Sequence, residues 1–166
     1  MALYYPQPIL KSLSQGDRIA FVRQLKKMSQ KKLGEEIGIK SNRVRNLVCR
    51  MERMDRSIRQ DKVRKIAEVL DINPKMIERW AFREPEDLYY EMLWIEELCP
   101  DFILRNTIRI DPKNPTHEIL SEKYAEWKKM RRMYGDGKID YEEYWDWKLK
   151  RPDRREDIKD YEESDD

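Results

Sequence analysis

The stretch Ser29-Gln30-Lys31-Lys32-Leu33-Gly34-Glu35-Glu36-Ile37-Gly38 limits the fold more than any other part of the chain. Ser29 is a good N-cap, since its hydroxyl can accept from a free amide of the first helical turn. Leu33 and Ile37 stand four residues apart and share one helix face. Gly38 follows at once and can take the left-handed conformation that stops a helix. Ser41 or Asn42 can then cap a second helix, with Val44, Val48 and Met51 turned inward. The stretch therefore predicts two short helices joined by a tight glycine turn.

Neighbouring segments extend the pattern. Ile19, Val22 and Leu25 recur at helical spacing over 17–25, and Val63, Ile66, Ala67 and Leu70 do so over 61–70. Asn73-Pro74 opens a further helix through Met76, Ile77 and Trp80, with Pro74 suited to its first position. The result is a mainly α chain with an N-terminal five-helix domain over 14–83, preceded by a loose arm at 1–13. Two of its helices have the helix-turn-helix arrangement, although helical bundles also use glycine turns. The positions of the third helix left free by the core are Asn42, Arg43, Arg45, Asn46 and Arg50. Arginine can donate two bonds to guanine, and asparagine can bond both edge atoms of adenine, so these types read a DNA major groove. A structural surface helix more often alternates lysine with glutamate, yet no acid occurs between Glu36 and Glu52.

These residues resemble the lambda-repressor/Cro-type helix-turn-helix family, the XRE family. The resemblance runs over about 16–80 and rests on Gly16-Asp17-Arg18-Ile19, Ser29 to Gly34, Gly38-Ile39, Glu52 to Arg56 and Asp61 to Leu70. It implies a supporting helix at 29–37 and a recognition helix at about 42–52. It puts Gln30 at the family's phosphate-contacting position, at a helix start where backbone amides favour an anion. Lys31 and Lys32 are expected to join it, and Asn42, Arg43, Arg45, Asn46 and Arg50 to divide between bases and phosphates. Arg23 and Glu52 match a pair that bridges two helices of the family, a structural role. Two positions depart from the pattern: Met54 replaces a common glycine and Ile58 a common proline. The turn before the recognition helix is also longer than in short members.

Charge supports a polyanion partner only after it is divided. The 166 residues carry 35 Lys+Arg and 33 Asp+Glu, a formal charge of +2. Residues 1–83 hold 20 basic and 9 acidic side chains, net +11, and residues 84–166 hold 15 and 24, net −9. Such asymmetry predicts a polyanion-binding half and an acidic half, the other reading being an uneven solvated surface. No apolar run reaches the ~18 residues of a membrane span, and MALYYPQPIL lacks the features of a signal peptide. Cys49 and Cys99 are read as reduced thiols in a cytoplasmic protein.

The second half reads as a helical accessory or dimerisation region over 84–152, followed by an acidic tail at 153–166. Leu88 to Leu98 give an apolar helix, and 102–110 reads as one short β segment without an evident partner. Thr116 caps a helix through Leu120, Tyr124, Trp127, Met130 and Tyr134, and Ile139 to Leu149 lie on a last one. The pattern Gly137 to Lys148, Gly-Lys-Ile-x-x-Glu-Glu-Tyr-x-x-Trp-Lys, resembles accessory regions of XRE-type regulators of clostridial mobile elements. The aromatic side chains at helical spacing are expected in the core, with a dimer interface or a ligand cage as other readings.

Gly137 and Glu143 have the spacing of an EF-hand's second half. Its first and third positions would then be Arg132 and Tyr134, which give calcium no carboxylate. No cofactor or metal site is expected, nor an enzyme: His117 is the single histidine, and no phosphate loop or dinucleotide fingerprint occurs. The expected function is sequence-specific binding of double-stranded DNA in transcriptional regulation, as a homodimer. The alternative is a protein-interaction module, an antitoxin or an inhibitor of a nucleic-acid enzyme, that uses the helix-turn-helix for autoregulation or as scaffold. RNA binding has less support, since no sheet-borne aromatics stand ready to stack bases.

Overall fold

Polar side chains fix where the helices begin. Ser14 Oγ accepts from the Asp17 amide at 3.2 Å and starts α1 (Gln15–Leu25). Ser29 Oγ accepts from the Lys32 amide at 3.1 Å and starts α2 (Gln30–Glu36). Their ends are closed by left-handed residues, as isolated helix carbonyls require. At the end of α2, Gly38 (φ +84°) donates to Glu35 O, and Ile39 donates to Gly34 O, both at 2.9 Å. Lys27 (φ +54°) makes the same closure after α1 without the freedom of a glycine.

The computed structural model describes residues 7–53, 57–79, 85–99, 112–113 and 117–150. Among them the chain also forms α3 (Val44–Arg53), α4 (Gln60–Leu70), α5 (Pro85–Leu98), α6 (His117–Gly135) and α7 (Tyr141–Lys150), which makes seven α-helices and no strand. The β segment expected at 102–110, the cap expected at Thr116, the Met54 departure and the tail at 153–166 lie outside the described residues.

Where a fifth helix is expected at 73–80, the described chain makes one 3-10 turn, Pro74–Met76. The carbonyls that a helix would need are taken from elsewhere. Trp94 Nε1 donates to Met76 O at 2.8 Å, Gln15 Nε2 to Ile77 O at 2.8 Å, and Arg18 Nη2 to Glu78 O at 3.1 Å. A side chain from α5 and two from α1 thus hold the segment that follows this turn. Within the arm expected to be loose, Leu10 is instead buried in the hydrophobic core.

The inward faces of α1 to α4 follow the apolar spacing, with Ile19, Val22, Leu33, Val48, Val63, Ile66 and Leu70 all at 2% exposure or less. The second half does not stand apart from them. Phe21 of α1 meets Trp94 edge-on, centroids 5.7 Å apart, and lies 4.7 Å from Trp145 of α7, while Trp94 and Trp145 are 5.0 Å apart. Asn73 N donates to Leu149 O at 2.8 Å, and Arg18, 3% exposed, pairs with Glu91 at 3.2 Å. The aromatic side chains expected in a core are mostly there, whereas Tyr134 is 40% exposed and Leu88 is 50% exposed.

One buried polar cluster organises this half. The Glu96 carboxylate accepts from Lys148 Nζ at 2.6 Å, Arg131 Nε at 2.9 Å, Tyr144 Oη at 2.8 Å and Trp127 Nε1 at 3.2 Å. Lys148 Nζ also lies 4.5 Å from the centroids of the Tyr144 and Trp145 rings. Burial lowers the pKa of Lys148, against the pull of Glu96, and burial together with Glu96 raises that of Tyr144.

Because Phe21 and Met76 are covered by α5 and α7, residues 1–83 alone are expected to lack a cooperative fold. Thermal unfolding followed by circular dichroism should give a broad, shallow transition for that fragment and a sharp one for the full chain.

Candidate nucleic-acid interface

The contact between α2 and α3 is made close by Gly34. A Cβ at that position would clash with Val44 Cγ2 and stand 2.9 Å from Val48 Cγ2. Neither methyl can give way, because Val44 and Val48 are both buried. Gly34→Ala should therefore cost ~1–3 kcal/mol by overpacking, read as a lower urea midpoint with an unchanged slope. Gly16 plays the same part between α1 and α3, where a Cβ would clash with the Glu52 carbonyl.

The start of α2 is tied to the end of α3 by a buried network. Arg23 Nε and Nη2 donate to the two carboxylate oxygens of Glu52 at 2.6 and 3.1 Å, and Arg23 Nη1 donates to Met28 O at 2.7 Å. Gln30 Nε2 donates to Glu52 Oε2 at 2.7 Å. Glu52 is 6% exposed, so the paired guanidinium offsets the cost of burying its charge. Gln30 is half-buried, with one N–H of its amide committed inward.

Two of the residues assigned to the recognition helix precede it. Asn42 and Arg43 lie in the turn, and α3 begins at Val44. Ser41 Oγ accepts from the Arg43 amide at 3.1 Å, which holds the turn, and Arg43 O accepts from Leu47 N at 3.1 Å as the first bond of the helix. Arg45, Asn46 and Arg50 are on α3 itself. All five side chains are exposed, as are Lys31 and Lys32 at the start of α2. Among the described residues, Lys32, Lys40, Arg43, Arg45 and Arg50 take part in no ion pair, and Lys31 makes an exposed contact of 3.7 Å with Glu35. Such an exposed pair has little strength, so these cations remain available to an anion.

The structure adds a residue to this face. Leu47 is 40% exposed, at helical spacing from Arg43 and Arg50. It borders a groove of about 410 Å³ also lined by Ile39, Met51 and Ile58. The signal available in the sequence was a leucine set between Arg43, Arg45 and Arg50. Its methyl groups have the chemistry that contacts thymine.

These features come together in a region with a clear family match: the helix-turn-helix family model covers residues 19–77. Residues 19–77 are a helix-turn-helix domain of the lambda-repressor, or XRE, type. Domains of this kind bind DNA in transcription regulators. No curated protein and no solved structure matches the chain.

The acidic half reaches the XRE-type domain on another side. Asp146 pairs with Lys26 at 2.9 Å, Glu142 with Lys27 at 3.0 Å, and Lys150 with Asp71 at 3.5 Å. Among the described residues, no ion pair joins α7 to the cations of α3. The Gly137–Glu143 segment, which has half the spacing of a calcium loop, is a helix end followed by a helix start. Gly137 (φ +71°) closes α6, and Asp140 and Glu143 exchange side-chain-to-amide bonds of 2.8 Å, the capping box of α7. Cys49 is half-buried. His117, the first residue of α6, is also half-buried, with Nε2 3.4 Å from Ser121 Oγ.

Proposed function

We propose that the chain regulates transcription by binding a specific DNA duplex as a homodimer, with α3 in the major groove. The observation that carries this reading is the acid-free stretch 37–51, whose arginines are exposed and free of ion pairs among the described residues. Asn42, Arg43, Arg45 and Asn46 read bases, joined by Leu47 on thymine methyl groups. Gln30, through its second amide N–H, and Lys31, Lys32 and Arg50 hold phosphates. The Arg23–Glu52–Gln30 network fixes the angle between α2 and α3 and touches no DNA. The domain boundaries follow as 14–83 for the DNA-binding unit and 84–152 for the accessory unit that carries dimer contacts. The resemblance of Gly137 to Lys148 supports a regulator of the kind found in clostridial mobile elements.

The alternative, a module that captures a nucleic-acid enzyme through its acidic half, has less support. Glu96, Glu142 and Asp146 are held by cations of the same chain.

Binding to a duplex measured against salt tests the proposal. A dimer that contacts about 6–10 phosphates should lose ~10³–10⁵-fold in affinity between about 50 and 200 mM salt. A flat response contradicts the phosphate assignments.

A further inference from the structure

We propose that the groove between α6 and α7, bordered on a third side by the end of α1, binds a small aromatic molecule that is neutral or carries one positive charge. The cavity holds about 610 Å³, within the ~300–1,000 Å³ typical of small-molecule sites. Its apolar lining comes from Leu25, Met130, Met133, Trp147 and Leu149, with Ala125 small enough to leave the space open. Two thioethers and an indole suit a flat aromatic guest, because methionine sulfur is polarisable and adapts to a ring.

The polar rim determines which guests fit. Asp146 is bonded by Lys26 and by Lys150, each at 2.9 Å. Glu142 is paired with Lys27, Glu143 caps the Asp140 amide, and Glu126 accepts from Trp147 Nε1 at 3.1 Å. These carboxylates are satisfied within the chain, so recognition rests on apolar surface and not on a dominant ion pair. Four carboxylates against three ammonium groups line the cavity, the latter Lys26, Lys129 and Lys150. Lys26 and Lys150 are already held by Asp146, so an anionic guest gains no strong pairing from them.

The location suggests an effector. An occupant meets Leu25 and Lys26 at the end of α1, directly before the Lys27 turn and the Ser29 cap that begin α2. An effect of the occupant on DNA binding through α2 rests on the function proposed above, whereas binding itself does not.

Full-length protein with ¹³C-methyl methionine, titrated with 2-naphthalenemethanol, 2-naphthylmethylamine and 2-naphthoate, tests the site without DNA. The neutral and cationic probes should shift the Met130 and Met133 methyls saturably and leave Met28, Met51 and Met76 in place. Naphthoate should bind roughly threefold or more weakly. Ala125→Leu, at an exposed position of α6, should abolish the shifts while the other methionine signals keep their positions. The proposal is overturned by shifts that do not saturate, by equal shifts at all methionines, by naphthoate binding as well as the amine, or by Ala125→Leu binding normally. It is equally overturned if Met130 and Met133 move with protein concentration alone, since a second copy then fills the groove.

Discussion

Replacing Glu96 with alanine is expected to destabilise the chain by ~3–5 kcal/mol, the cost of leaving a buried charge without its partner. Lys148 is 1% exposed and keeps its 3.3 Å bond to Leu93 O but loses its carboxylate, and Arg131, Tyr144 and Trp127 lose the same acceptor. Against a typical total of ~5–15 kcal/mol, one change could consume much of the stability. Urea unfolding should show a large fall in midpoint. The double variant Glu96→Leu with Lys148→Met should recover most of it, because removing both charges leaves no unpaired ion. If the double variant is as unstable as Glu96→Ala, packing and not charge pairing sets the effect. Since Trp145 and Leu149 share this core with Phe21, the loss should appear in one transition for both halves of the chain.

The second large effect concerns recognition. Arg43→Ala and Arg45→Ala should each cost ~1–3 kcal/mol on a duplex that the chain selects, and relax the preference for one base. Truncating Lys32 should instead weaken selected and scrambled duplexes alike and lower the salt slope by about one. Fluorescence anisotropy on both duplexes separates the two classes. Neither arginine is buried or part of an ion pair among the described residues, so unfolding temperatures should stay near that of the parent. If both arginine variants bind the selected duplex as tightly as the parent, bases are read elsewhere.

What the sequence revealed was local. Gly38 after Ile37, the Ser29 cap and the inward faces Val44/Val48 and Val63/Ile66/Ala67/Leu70 depend on spacing within one or two turns, and spacing is visible in a sequence. What it concealed depends on partners distant in the chain. The segment after Pro74 reads as a helix until Gln15, Arg18 and Trp94 take its carbonyls. Lys148 lies in a Lys-Leu-Lys run that carries no local sign of burial, yet Glu96 of α5 draws it inside. Charge segregation was legible as an imbalance of +11 against −9. Where the acids dock, on Lys26 and Lys27 and away from Arg43, Arg45 and Arg50, depends on how α7 packs against α1 and is not visible in the sequence. Among the site residues, the basic and amide types of α3 stood out by composition, whereas Leu47 did not, because an apolar residue in a helix is assigned to the core by default.

The most direct measurement is selection of duplexes from a random pool by the intact protein. The account predicts enrichment of a two-fold symmetric motif with half-sites about 10 base pairs apart, as two copies of α3 in successive major grooves require. That enrichment should vanish for the Arg43→Ala/Arg45→Ala double variant. A pool that stays random for the parent protein, or a motif that the double variant enriches equally, would contradict it.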